Sequence, residues 1–182
     1  MLEVEAKFRA PDWPGLIAKL TEWNATVVET REDTDHYFNA PDRNFAKTDE
    51  AVRLRRIGME NFLTYKGPKL DAATKTRTEV ELQLAPGANA AATAVRFLAH
   101  LAYRPVAVVS KTRQVYVLTR GSFEVEVCLD DVGSVGKFVE LEIMAGEVEF
   151  EDAKKVLLQT AAELGLTDQE RRSYLEMLLQ GK

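Results

Sequence analysis

Charged side chains recur at every second residue in several short stretches of this chain. EVEAK carries Glu3, Glu5 and Lys7, VRLRRI carries Arg53 and Arg55, and LTYK carries Lys66. RTEVEL carries Arg77, Glu79 and Glu81, and SKTR carries Lys111 and Arg113. FEVEVCLD carries Glu124, Glu126 and Asp130, and FVELEI carries Glu140 and Glu142. Guanidinium forks and ammonium groups suit the oxygens of a polyphosphate. Clustered carboxylates suit hard divalent cations such as Mg2+ or Mn2+. Gathered in one cavity, the two sets would hold a metal–polyphosphate complex.

The elements that carry these charges decide whether they gather. In a β-strand alternate side chains face opposite ways, so each stretch has a charged face and an apolar one. Val4, Leu54 and Leu141 lie on the apolar faces. About eight strands are read, with the longest hairpin turning at RGS and another around Gly58. Helices are expected after Asp12, over about 90–101, and over about 149–180, the last stretch broken at Gly165 and resumed at 168–179 behind Thr167 as cap. If amphipathic helices cover the apolar sheet face, the charges lie on the other side. Eight strands closing into an antiparallel barrel would turn that face inward as a hydrated, charged tunnel. An open sheet with a solvated, salt-bridged face is the alternative that spacing alone leaves standing.

Bulk composition narrows the classes. The 182 residues are 46% hydrophobic and 29% charged, which fits a single α+β domain over 1–182. A net charge of −5 argues against a broad nucleic-acid footprint. Cys128 stands alone, so no intramolecular disulfide or Cys-based zinc site is expected, and it reads as a small buried residue. No basic segment followed by an apolar one opens the chain, and no apolar run nears the roughly 20 residues that span a bilayer. A cytoplasmic protein without membrane contact is expected.

The ordered motifs EVEAKF, RLRR, LTYKGP, RTEVEL, SKTR and FEVEVCLDDVGSVGKFVELE resemble the CYTH superfamily, the triphosphate tunnel metalloenzymes. The resemblance runs from Glu3 to Tyr174. It implies an eight-stranded tunnel that holds a nucleoside triphosphate, or an inorganic or other organic triphosphate, with Mg2+ or Mn2+. By the same resemblance Glu3, Glu5, Glu140 and Glu142 look like metal ligands, with Asp130 as a further candidate. Lys7, Arg53, Arg55, Lys66, Arg77, Lys111 and Arg113 look like the phosphate cradle. Glu79, Glu81, Glu124 and Glu126 read as further lining. Tyr37 with Lys66 resembles a water-activating pair of some phosphatases in the group.

HYFNAPDRNF, AVRLRR, LTYKGP and the ending RRSYLEML look most like class IV adenylyl cyclases, which convert ATP to cyclic AMP and pyrophosphate. Tripolyphosphatase or thiamine triphosphatase chemistry is the alternative, and a non-catalytic polyphosphate-binding module is a third. A homodimer is left open. Lys75 and Lys137 flank the motifs and are expected at strand ends, in solvent. His36 and His100 lack metal-ligand spacing, and Trp13 and Trp23 read as packing residues.

Overall fold

The computed structural model describes residues 2–70 and 74–181. In chain order the elements are β1 (Leu2–Arg9), α1 (Pro14–Glu22), β2 (Thr26–Asn39), α2 (Phe45–Thr48), β3 (Ala51–Ile57), β4 (Glu60–Lys69), β5 (Arg77–Leu84) and α3 (Ala88–His100). They continue with β6 (Arg104–Arg120), β7 (Phe123–Asp131), β8 (Lys137–Ala145), α4 (Phe150–Leu164) and α5 (Tyr174–Gln180). The strands close into a barrel in the order β1-β5-β4-β3-β2-β6-β7-β8, with every neighbouring pair antiparallel. Closure removes the open-sheet alternative.

The apolar faces point outward and the helices cover much of them. Val4 and Leu141 are fully buried in a core that α1 and α4 share with β1, β7 and β8. Leu54 is buried in a second core that includes Phe45 of α2 and Leu98 of α3. Each fully buried Leu of this kind stabilises the barrel by about 1.5–3 kcal/mol, so Leu141→Ala would open a costly cavity. Cover is incomplete on β5, where Val80 and Leu82 remain 59% and 58% exposed.

The weakest seam in the barrel is β1 against β5. Among the described residues its strand pairing is Glu3 opposite Arg77. The segment 74–76 extends the seam, with Lys75 N donating to the Glu5 carbonyl at 2.8 Å and the Thr74 and Thr76 hydroxyls 2.8 Å apart.

The C-terminal region departs from expectation. The last helix begins at Tyr174 with Ser173 as its cap, whereas a helix from Asp168 behind Thr167 was expected. The residues before it instead run along β1, with Gln169 bridged to Phe8 and Glu170 N donating to the Lys7 carbonyl. Ser173 accepts from Glu176 N while the Glu176 side chain accepts from Ser173 N, a reciprocal capping box that fixes this start. Trp13, rather than Asp12, occupies the cap position of α1. The short α2 was not expected from the turn signals; Asn44 caps it by accepting from Ala46 N.

Candidate active site

Because side chains alternate on every strand, the charged faces converge on a cavity of about 410 Å³ inside the barrel. Register places three carboxylates abreast: Glu5 on β1 lies opposite Glu142 on β8, which lies opposite Glu126 on β7. Like charges in such positions repel unless positive charge or protons intervene. Burial pushes the Glu142 carboxyl up to about 8; Arg113 opposes this, and Glu3, Glu5 and Glu140 reinforce it. Glu3, also on β1, is raised to about 7 by burial that outweighs Lys66, with a hydrogen bond to Glu79 adding to the shift.

Cys128 shares the inward face of β7. It is buried as expected, but its neighbours are charged rather than apolar: its thiol donates to Glu126 Oε1 at 3.1 Å. The Cys128 Sγ and one oxygen each of Glu126 and Glu142 all lie within 4.8 Å of one another. This small acid-and-thiol group is compatible with a metal ion, and the row beside it offers further oxygen donors. Carboxyl groups that burial keeps protonated near neutrality are groups whose protons a dication can replace.

The cations are organised by buried acids. Asp130 receives Arg113 through Nε and Nη2, both at 2.7 Å, and Lys111 at 2.9 Å. Glu140 accepts from Arg113 and lies 3.9 Å from Lys111. Burial alone would raise both carboxyls, yet Lys111 and Arg113, joined at Glu140 by Lys75, hold them below the usual range. On the facing wall Asp35 takes a fork from Arg55, at 2.7 and 2.8 Å, and a bond from Arg53 at 3.3 Å. Burial opposes ionisation of Asp35, but these two guanidinium groups override it and keep the carboxyl well below its ordinary value. Lys66 pairs with Glu79 at 2.6 Å and lies 3.8 Å from Glu3. Arg77 donates to the Gly67 carbonyl at 3.1 Å, and Thr64 donates to Glu81 at 3.1 Å.

The structure thus brings Glu3, Glu5, Arg53, Arg55, Lys66, Arg77, Glu79, Glu81, Lys111, Arg113, Glu126, Glu140 and Glu142 to one cavity, together with Tyr37. Asp130 is fully buried behind the cavity wall, beneath Lys111 and Arg113. Lys7 is also fully buried, and its ammonium donates to the Arg172 carbonyl and sits 4.0 Å from the centre of the Tyr174 ring. Burial, with the nearby Lys75 charge, lowers Lys7 to about 7. Glu124 has the correct phase but is exposed at the start of β7, outside the cavity. Tyr37 stands opposite Arg53 on the β2–β3 ladder, while Lys66 pairs with Glu79.

The expectation for Lys75 is also overturned. Lys75 is not a solvated strand-end residue: it is 8% exposed and lines the cavity. Its ammonium donates to Glu5 and lies 3.5 Å from Glu140. The inward strap at 74–76 carries it there. Lys137 remains exposed, stacked 4.8 Å from the Trp13 ring. Asp33, Asp35 and Tyr174 were also overlooked. Asp33 and Asp35 have the same alternation as Tyr37 in REDTDHY, and counting back from Tyr37 would have found them. Tyr174 donates from its hydroxyl to Asp130 at 2.8 Å; no spacing signal in the sequence indicates that link.

Comparison with known proteins places this arrangement in context. A model of the CYTH domain matches residues 1–174. A protein of Methanocaldococcus jannaschii named "Putative adenylate cyclase MJ0240" is 30% identical over 180 residues, covering 97% of this chain and 98% of the relative. Adenylate cyclase CyaB of Aeromonas hydrophila is 31% identical over 179 residues, covering 94% of this chain and 86% of the relative. The solved structure of PH1819 protein from Pyrococcus horikoshii OT3 superposes with a TM-score of 0.87 at 37% identity, covering 99% of each chain. Among the described residues, no helix is long and apolar enough to cross a membrane.

Proposed function

As this chain belongs to the CYTH domain family, we propose that it is a metal-dependent enzyme that converts ATP to cyclic AMP and pyrophosphate. The observation that carries the reading is the carboxylate row Glu5–Glu142–Glu126 set inside the same cavity as Arg53, Arg55, Lys66, Lys111 and Arg113. The adenylate cyclase names of two relatives at 30% and 31% identity support it.

Glu3, Glu5 and Glu142, with Glu140 and Glu126 alongside, would hold Mg2+ or Mn2+. The bound cation supplies charge neutralisation at the phosphoryl oxygens. The remaining work falls to the chain's own cations. Arg53, Arg55, Lys66, Lys111 and Arg113 bind the triphosphate oxygens, keep the chain extended along the tunnel, and stabilise the negative charge that builds on departing pyrophosphate. The ribose 3′-oxygen forms the new bond to the α-phosphorus as the bond to pyrophosphate breaks, and the 3′-hydroxyl proton passes to the departing pyrophosphate. Enclosure limits water near the reacting phosphorus and strengthens every one of these contacts.

Hydrolysis of the terminal phosphate is the second reading, because Tyr37 and Lys66 both line the cavity. Burial raises the Tyr37 phenol, with Asp35 adding to the effect, so it carries its proton at neutral pH and is poorly suited as a base. Separate incubations with ATP, tripolyphosphate and thiamine triphosphate, each with Mg2+ or Mn2+, distinguish the outcomes. Cyclic AMP and pyrophosphate from ATP are expected. Orthophosphate from any of the three substrates, without cyclic AMP, would establish the hydrolytic reading instead. Tight binding without turnover would make the domain a binding module.

A further inference from the structure

We propose that Tyr174, carried on α5 rather than on a strand, is a positioning residue that fixes Lys111 and Arg113 through Asp130, an assignment that rests on the triphosphate reading above. One carboxylate oxygen links the three. Asp130 Oδ2 accepts from the Tyr174 hydroxyl at 2.8 Å, from Lys111 Nζ at 2.9 Å and from Arg113 Nη2 at 2.7 Å. Asp130 Oδ1 takes the other arm of the Arg113 fork, from Nε at 2.7 Å. Asp130 is fully buried, so these donors set its orientation.

A phenol suits this task. Burial, with Glu140 and Asp130 adding to it, pushes the Tyr174 hydroxyl well above the usual phenol range, so it keeps its proton and donates. A third cation in its place would repel Lys111 and Arg113, whereas a neutral donor satisfies the oxygen without that cost. With the Nε–Nη2 edge of Arg113 committed to Asp130, Nη1 makes a longer bond, 3.4 Å, to Glu142. Nη1 is therefore the edge that a phosphate oxygen can claim, provided the fork behind it stays fixed.

The ring adds a second hold. Its centre lies 4.0 Å from the Lys7 ammonium and 5.3 Å from that of Lys111, within reach of cation–π attraction. It packs edge-on against Phe138, with centroids 5.1 Å apart. The capping box of Ser173 and Glu176 fixes the turn that delivers Tyr174 to this place. One side chain thus meets Lys7, Lys111 and Asp130, and the last helix becomes part of the cradle's support.

Calorimetric titration with inorganic tripolyphosphate, in EDTA and again with Mn2+, tests the assignment on Tyr174→Phe, which keeps the ring and removes only the donor. The variant should bind tripolyphosphate about tenfold more weakly, equivalent to about 1.4 kcal/mol. In an Arg113→Lys background, where the fork is already broken, the same substitution should cost less than about twofold; in an Arg55→Lys background, on the facing wall, it should cost the full tenfold. No loss in Tyr174→Phe, or equal losses in the two backgrounds, would overturn the positioning role and leave the triphosphate reading in place. Should Arg113→Lys not fold, NMR of the ligand-free protein decides: the Arg113 Nε–H should exchange with solvent about tenfold faster in Tyr174→Phe, and the Arg55 Nε–H at an unchanged rate. Equal Arg113 exchange in variant and wild type would overturn the role. Failure of tripolyphosphate to bind wild-type protein under either condition would overturn the triphosphate reading and the assignment with it.

Discussion

Glu5 and Glu142 face each other directly across the β1–β8 ladder, two carboxylates in register inside a closed barrel. Folding alone gives no reason to place them so, because like charges set abreast repel. Lys75 partly compensates Glu5, and Arg113 approaches Glu142 only at 3.4 Å. The pair is a folding liability that positive charge from a ligand can relieve.

That liability predicts a pH dependence. Burial raises Glu142 to about 8 and Glu3 to about 7, both above the ordinary carboxyl value of 4.5. Groups raised in this way contribute stability that is fully present below about pH 4.5 and is lost as pH rises through 7 to 8. The melting temperature of metal-free protein should therefore fall between pH 5 and pH 9. Lys7 works in the opposite sense above pH 7, since its folded value of about 7 lies below 10.5. Glu142→Gln should flatten the decline up to pH 8 and raise the melting temperature at pH 8, by roughly 2–4 °C for each kcal/mol relieved. An unchanged profile in the variant would remove Glu142 as its source.

Cation binding should also release protons. If Mn2+ takes the carboxylate row, protons held by Glu3 and Glu142 near neutrality must leave. Titration calorimetry at pH 7 in buffers of different ionisation enthalpy should show an observed heat that varies with buffer, with net proton release. The release should shrink in Glu142→Gln. Heats independent of buffer would place the cation elsewhere.

Lys75 supplies a third test. Its ammonium is buried against Glu5 and Glu140. Lys75→Met should strip Glu5 of its ion pair and leave Glu140 with Arg113 and Lys111 alone, and destabilise the metal-free protein by about 3–5 kcal/mol. Mn2+ should restore more stability to the variant than it adds to the wild type, because the dication replaces the lost charge. Thermal denaturation with and without Mn2+ reads both effects, and equal gains in the two proteins would show that Lys75 and the cation do not share a site.

Much of this arrangement was legible in the sequence, for a definite reason. Glu3, Glu5, Arg53, Arg55, Glu140 and Glu142 lie on stretches where charge and hydrocarbon alternate, so their faces follow from the pleat. Lys75 was misread because no strand periodicity governs a strap between β4 and β5. Glu124 was included because phase says which face a residue shares, but not where the tunnel ends. Asp33 and Asp35 escaped notice in a segment that reads simply as Val- and Thr-rich extended chain. Tyr174 and Asp130 are far apart in sequence, and their hydrogen bond depends on how the last helix docks.

Tyr37→Phe and Lys66→Ala separate the two chemistries. In a cyclase the nucleophile is the substrate's own hydroxyl, so removing the Tyr37 hydroxyl should reduce turnover only a few-fold. Loss of Lys66 should reduce it much further, on the order of a hundredfold, the scale of a removed electrostatic donor. Initial rates for both variants with ATP check this. A steep fall in Tyr37→Phe turnover with nearly intact binding would point to water activation instead.

Phosphorus NMR of ATP incubated with Mg2+ and either wild-type protein or Glu5→Gln tests the central claim most directly. Wild-type protein should give cyclic AMP and pyrophosphate in equal amounts, and Glu5→Gln should give little of either while folding normally. Orthophosphate and ADP from the wild type, or undiminished cyclic AMP from Glu5→Gln, would contradict a cyclase built on the Glu5–Glu142 pair.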